Sequence, residues 1–243
     1  MFFLVGLTLP LSLRNVPLPD YVILHDATYT YGGKVFISYS TADDINTTNF
    51  FNFATLNDDG TDFKVIFSGV IPLNPRSGGI RYMPFQDNNR VLLGDYVFEC
   101  MPNLNNCNSN KLVPITYPTT LSEDPRISSV WSEIIIAPDN KHMAWTILAG
   151  FTAGQAIGVL SRKTDSYVLE NVQLLSVPQS FTNDPNKPGF IIPPSTTRGG
   201  EVKQFIQGGN ALSVVGAKDY ITADSVIQDL TSDKITQITR TPG

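Results

Sequence analysis

A short pattern that recurs, turn residues at regular intervals and the lack of helical periodicity together predict an all-β fold. The expected form is a β-propeller of four-stranded antiparallel blades, with about four blades present. The pattern first reads Gly78-Gly79-Ile80-Arg81-Tyr82-Met83-Pro84-Phe85-Gln86 and continues to Arg90-Val91-Leu92-Leu93-Gly94. It returns as Gly199-Gly200-Glu201-Val202-Lys203-Gln204-Phe205, continuing to Ala211-Leu212-Ser213-Val214-Val215-Gly216. Each copy is a glycine-led strand holding a basic residue, then a polar turn, then a second apolar strand. A third copy lacks the glycines: Trp131-Ser132-Glu133-Ile134-Ile135-Ile136, the turn Ala137-Pro138-Asp139-Asn140-Lys141, and His142-Met143-Ala144-Trp145-Thr146. Such repeats are supersecondary units that cannot bury their apolar faces alone, so they stack. A β-sandwich has no reason to repeat the pattern.

The strands are placed as follows. The first unit opens near 21–24, turns at 29–33, and continues with 34–39, 50–56 and 63–67. Between its last two strands, Asn57-Asp58-Asp59-Gly60-Thr61-Asp62 is a hairpin signal, because glycine accepts the positive φ such turns need. The second unit has an inner strand at 80–85, one strand at 90–100 and an outer strand at 111–117. The third runs from 130 to 176, with 156–161 and 167–175 as its outer pair around the polar turn 162–166. The proline-rich stretch 177–194 reads as a loop. The fourth unit holds strands at 202–206, 211–216, 225–230 and 235–239.

A chain of 243 residues is long enough for a full core. With 42% hydrophobic and 16% charged residues it is neither disordered nor collagen-like. The net charge of −5, with no basic run, excludes a nucleic-acid surface. The apolar segment 1–18 stands apart from the repeat region 19–243. It is too short for a membrane span, which needs about 20 apolar residues. Two readings stand for it: the remnant of a secretion signal, or a strand covering an edge of the sheets. Cys100 and Cys107 flank a turn-rich stretch that can bring them to bridging distance, so a disulfide is expected, in keeping with a secreted or extracytoplasmic protein. A cytoplasmic protein with free thiols is the alternative. Asn46-Thr47-Thr48 matches the N-glycosylation acceptor pattern.

Inner propeller strands line a central channel, so charges there are candidate ligand-binding groups. Arg81, Glu133, Glu201 and Lys203 fall on inner strands, and Arg198 sits at a strand entrance. They can hold an anionic or zwitterionic small ligand or a peptide end, or they can pair with one another across the channel. The aromatics Trp131, Trp145, Tyr82, Tyr96 and Phe85 can line a sugar or peptide site, or pack sheet against sheet. No nucleophile or zinc motif accompanies the two histidines, His25 and His142. The carboxylates of 58–62 suit a solvated turn better than calcium or acid–base work. No catalytic residue, metal or cofactor is expected.

The segments Ala137-Pro138-Asp139-Asn140-Lys141-His142-Met143-Ala144-Trp145 and Asp87-Asn88-Asn89-Arg90-Val91-Leu92 resemble the turn of TolB-type β-propellers. Asn88 and Asn140 stand where that family has glycine, and asparagine tolerates the positive φ required. The ending from Ser232 to Gly243 resembles the family's blade exit, which in that family leads into another blade. The resemblance therefore implies either a closed four-bladed ring or part of a larger propeller of roughly six to eight blades. The leading expectation for function is a non-catalytic binding or scaffolding role toward a protein, peptide or small molecule. The alternative is the propeller portion of an oligopeptidase-like hydrolase whose catalytic domain lies elsewhere.

Overall fold

The computed structural model describes residues 15–72, 81–119, 121, 130, 132, 134–149, 152–176, 182–183, 191–192, 201–216, 224–232 and 234–239. These residues form an all-β structure, with 3-10 turns at Leu104–Asn106 and Gln207–Gly209 as its helical elements. The first sheet holds β1 (Ile23–Tyr29), β2 (Val35–Ser40), β3 (Phe50–Leu56) and β4 (Lys64–Val70) in chain order. A second antiparallel meander holds β5 (Tyr82–Pro84), β6 (Arg90–Leu93), β7 (Tyr96–Met101) and β8 (Ser109–Thr116). A third holds β9 (Ile135–Ile136), β10 (His142–Ala149), β11 (Thr152–Arg162) and β12 (Tyr167–Ser176). The short pair β13 (Thr182–Asn183) and β14 (Ile191–Ile192) precedes a last four-stranded sheet. That sheet contains β15 (Glu201–Ile206), β16 (Ala211–Gly216), β17 (Asp224–Asp229) and β18 (Ile235–Gln237).

Several expectations are corrected here. The single strand expected at 90–100 is two, because Gly94 at φ 55 and Asp95 form a two-residue turn that sets Leu93 opposite Tyr96. The first strand begins and ends later than expected and reaches Tyr29. The stretch 177–194, read as a loop, contains β13 and β14, which pair antiparallel. The second and third meanders are not separate sheets: β8 meets β12 in parallel, with Ile115 opposite Tyr167 and Thr116 opposite Val168, making one sheet of eight strands.

Alternation along the strands gives each sheet two apolar faces. On β2, Phe36 points into a cluster with Phe53, Ile66, Val91, Leu93 and Phe98 between the first and second meanders. Val35, Ile37 and Tyr39 point the other way, where Val16, Leu18 and Val22 pack over them. Residues 16–22 thus cover the outer face of the first sheet without forming a strand, while residues 1–14 of the apolar segment lie outside the described residues. Trp145, Met143, Ile147 and Phe85 fill the joint between the second and third meanders. Ile135, Ala144, Val202, Phe205 and Leu212 fill that between the third and last. Packing is therefore the role of Phe85 and Trp145; Tyr96 packs partly buried against the first of these clusters. Trp131 lies outside the described residues.

A polar lock sits beside the β8–β12 junction. Tyr167 donates to Glu99 Oε1 at 2.6 Å, and Arg162 Nε donates to the same oxygen at 2.9 Å. Arg90, stacked 4.1 Å over Phe85, donates to the Tyr167 oxygen at 3.3 Å. Burial, then the Glu99 hydrogen bond, pushes the Tyr167 phenol up to about 12, so it stays a proton donor. Burial alone would raise the Glu99 carboxyl, but its bonds to Arg162 and Tyr167 outweigh this and hold it below the usual carboxylate range. The Cys100–Cys107 disulfide closes the loop after β7, as the spacing predicts.

Candidate functional site

The turns that follow the first strand of the first three meanders share one geometry. Gly33 N–H bonds the Thr30 carbonyl, Asn88 N–H bonds the Phe85 carbonyl, and Asn140 N–H bonds the Ala137 carbonyl, at 3.0, 3.1 and 3.0 Å. All three residues have positive φ: 80° at Gly33, 57° at Asn88 and 62° at Asn140. Asparagine does more than tolerate that conformation here, because its side chain reaches the preceding turn. Asn88 Oδ1 accepts from Gly32 N–H at 3.0 Å, and Asn140 Oδ1 accepts from Gln86 N–H at 2.6 Å. Asn105, in the disulfide loop, accepts from Asn88 and donates to the Gly32 carbonyl at 2.9 Å. A Cβ at Gly32 would lie 2.3 Å from Asn88 Nδ2, so a side chain there would have to push the Asn88 and Asn105 amides aside. The turns are thereby tied into a collar, one to the next.

Within and below this collar lies a cavity of about 780 Å³, walled by β1, β5, β9, β15 and adjoining residues. The first wall carries Asp26, Tyr29 and Tyr31, the second Arg81, Tyr82 and Gln86. Ile135 and Pro138 form the third, Gln204 and Phe205 the fourth. Tyr29 and Tyr31 are 60% and 61% exposed, high for aromatic rings facing a concavity. Gln86 Nε2 lies 3.4 Å from the Tyr31 hydroxyl across the mouth. Asp26 Oδ1 accepts from the backbone N–H of Ala27 at 2.8 Å. Tyr82 donates to Ser38 Oγ at 3.0 Å; burial, opposed by that hydrogen bond and helped by the Asp26 charge, raises its phenol.

Three of the charges expected to line a channel come together. Arg81 donates to the Lys203 carbonyl at 2.7 Å, and the Lys203 ammonium pairs with Glu201 at 2.5 Å. Arg81 lines the cavity, whereas Glu201 and Lys203 stand beside it. Glu133 and Arg198 lie outside the described residues. The cysteines form their bridge away from the cavity lining, and Asn46 is exposed in the loop between β2 and β3.

Tyr29, Tyr31, Gln86 and Gln204 were not singled out in the sequence as site residues. A signal was available: Tyr29-Thr30-Tyr31 precedes Gly32-Gly33 as Gln86 precedes Asp87-Asn88, at the cavity end of an inner strand. Both histidines have side-chain partners. His142 Nδ1 pairs with Asp139 as Arg90 pairs with Asp87, each three residues after the turn carboxylate, and His25 Nε2 lies 2.6 Å from Ser40 Oγ. In the β3–β4 turn Asp59 caps Thr61 N–H at 2.9 Å and Asp62 pairs with Lys34, which is hairpin chemistry. Among the described residues no group of three or more His, Cys, Asp and Glu is arranged to hold a metal ion, and no helix is long and apolar enough to cross a membrane.

The fold and site together define an all-β protein with a mixed polar and aromatic cavity between repeated sheets. No family model matches the sequence, and no curated protein matches it. Among solved structures, it is similar to a chain described in a structural and mechanistic study of two prolyl endopeptidases, at 14% identity and a TM-score of 0.44, over 92% of this chain and 36% of that one. It is also similar to prolyl oligopeptidase B from Galerina marginata with a bound substrate, at 8% identity and a TM-score of 0.45, over 89% of this chain and 29% of that one. The apo form of that enzyme gives 8% identity and a TM-score of 0.42, over 89% and 28%. The chain thus spans 28–36% of the length of these structures.

Proposed function

We propose that this chain is a non-catalytic binding module of TolB-like β-propeller type, its meanders serving as four-stranded blades, with the cavity walled by the inner strands as its ligand site. One observation carries the reading: β1, β5, β9 and β15, the first strand of each meander, contribute to a single cavity. Edge strands converging in this way leave backbone and side-chain groups pointing into a shared space, which is how such folds build a site.

The groups on offer indicate the kind of ligand. Glu201 and Lys203 neutralise each other, and the two charged residues of the lining, Asp26 and Arg81, are of opposite sign, so the wall presents little net charge to an anion. What remains exposed is phenol, amide and ring face. That combination suits an uncharged polar ligand with a flat apolar side, of which a sugar ring is the simplest example.

A thermal-shift screen of neutral disaccharides, free amino acids and short peptides tests this. Neutral disaccharides are expected to raise the melting temperature most. Tyr29→Ala and Tyr31→Ala should each weaken binding roughly 2- to 13-fold, the worth of one ring face at about 0.5–1.5 kcal/mol. Shifts from none of the three classes, or binding indifferent to both tyrosines, would overturn the assignment.

A further inference from the structure

We propose that Asn46 is an N-glycan acceptor, displayed by a loop built to present it. The triplet Asn46-Thr47-Thr48 lies between β2 and β3, where all three residues are exposed. Such triplets arise often by chance, and one that serves as an acceptor belongs on a surface loop. Here the Asn46 side chain makes no hydrogen bond among the described residues, although the loop around it is firmly anchored. Thr41 N–H donates to Asp44 Oδ1 at 2.7 Å, and Asn52 Nδ2 donates to Asp44 Oδ2 at 2.7 Å. On the far side, Ile71 N–H bonds the Asn49 carbonyl at 2.9 Å, with Asn49 at φ 57°. Both ends of the loop are held, and the acceptor stands between them.

An independent observation points to the same compartment. Cys100 and Cys107, on the second meander, are bridged, and bridges of this kind form and persist in oxidising environments. N-glycan transfer takes place along the secretory route that also supplies those conditions. The location also agrees with the cavity. The β2–β3 loop lies at the end of the first sheet opposite the β1–β2 turn, because successive antiparallel connections alternate ends. A glycan there leaves the collar around Tyr31 and Gln86 open.

In the transfer itself, the Asn46 side-chain nitrogen attacks C1 of a saccharide carried on a lipid pyrophosphate. The C1–O bond to the pyrophosphate breaks as the C1–N bond forms, the amide loses one proton, and the lipid pyrophosphate leaves. No oxidant or reductant is needed.

The test is peptide mapping and intact mass of the full chain directed through the secretory pathway of a yeast or mammalian host. A mass above that of the polypeptide is expected, falling on treatment with peptide:N-glycosidase F as Asn46 converts to aspartate. Asn46→Gln and Thr48→Ala should lose the modification, and Thr48→Ser should keep it. Secreted, disulfide-bonded wild-type protein with Asn46 unmodified would overturn the proposal, and this outcome does not depend on any variant folding. A glycan mapped to a different residue would overturn it equally.

Discussion

Trp145→Ala is expected to destabilise the protein by about 3–5 kcal/mol, the usual cost of removing a large buried aromatic. Trp145 on β10 is fully buried in the cluster that joins the second and third meanders. Two of the residues beside it are too small to fill the space it would leave. Ala156, which faces it across the strand pair, is small, and Gly158 is held small by the ring itself: a Cβ at Gly158 would lie 3.3 Å from Trp145 Cη2 and 3.1 Å from Val172. A tryptophan-sized void would therefore open at the joint where β8 meets β12. Urea unfolding of wild type and variant measures the loss. A change below about 1 kcal/mol, the scale of an ordinary surface substitution or less, would mean that this joint does not hold the two meanders together.

The second large effect is expected at Gly60, in the β3–β4 turn. Gly60 has φ 85°, and a Cβ there would lie 2.6 Å from the carbonyl oxygen of Pro17. Gly33 provides the control, with φ 80° and nothing within 4 Å of an added Cβ. Alanine at either position pays the left-handed strain of about 1–2 kcal/mol. At Gly60 it must also push away a backbone oxygen, displacing the segment that carries Val16 and Leu18 over the outer face of the first sheet. Partial exposure of those side chains and the face beneath them should add roughly 1–3 kcal/mol at the usual value per buried aliphatic group. Gly60→Ala should thus be clearly less stable than Gly33→Ala by urea unfolding. Equal losses would show that residues 15–22 contribute nothing to the first sheet.

Much of this architecture was legible because it depends on local chemistry. The turn at Asn57 to Asp62, the strands Phe50–Leu56 and Ala211–Gly216, and the positive φ at Asn88 and Asn140 all follow from short windows of sequence. The Gly94-Asp95 turn was equally local, but the apolar residues on both sides of it mimic one continuous strand. What escaped was long-range. No pattern in residues 109–116 and 167–176 marks the parallel contact of Ile115 with Tyr167, and Glu99, Arg162 and Tyr167 converge only because that contact exists.

The candidate site divides along the same line. Of the basic residues at matching positions of two repeats, Lys203 lies on β15 and Arg81 immediately before β5, and the fold joins them through the Lys203 carbonyl. That the Lys203 carbonyl would meet Arg81 depends on the spacing between sheets, which sequence does not specify, whereas Glu201 and Lys203 pair as neighbours two apart on one strand. Tyr29 was passed over as a turn residue because β1 extends further than its apolar pattern suggests, whereas Tyr31 does lie in the turn that follows.

The most direct test of the whole account asks whether the inner strands of the first and last sheets face each other across one cavity. Both native cysteines are bridged, so thiols introduced by Ala27→Cys and Gln204→Cys, two exposed cavity-wall positions, can be addressed selectively. With a short bismaleimide at low protein concentration, the double variant should cross-link within the monomer, and each single variant should not. Cross-links confined to dimers, or none at all in a folded double variant, would mean that these strands do not share a cavity, and the proposed binding site would fall with it.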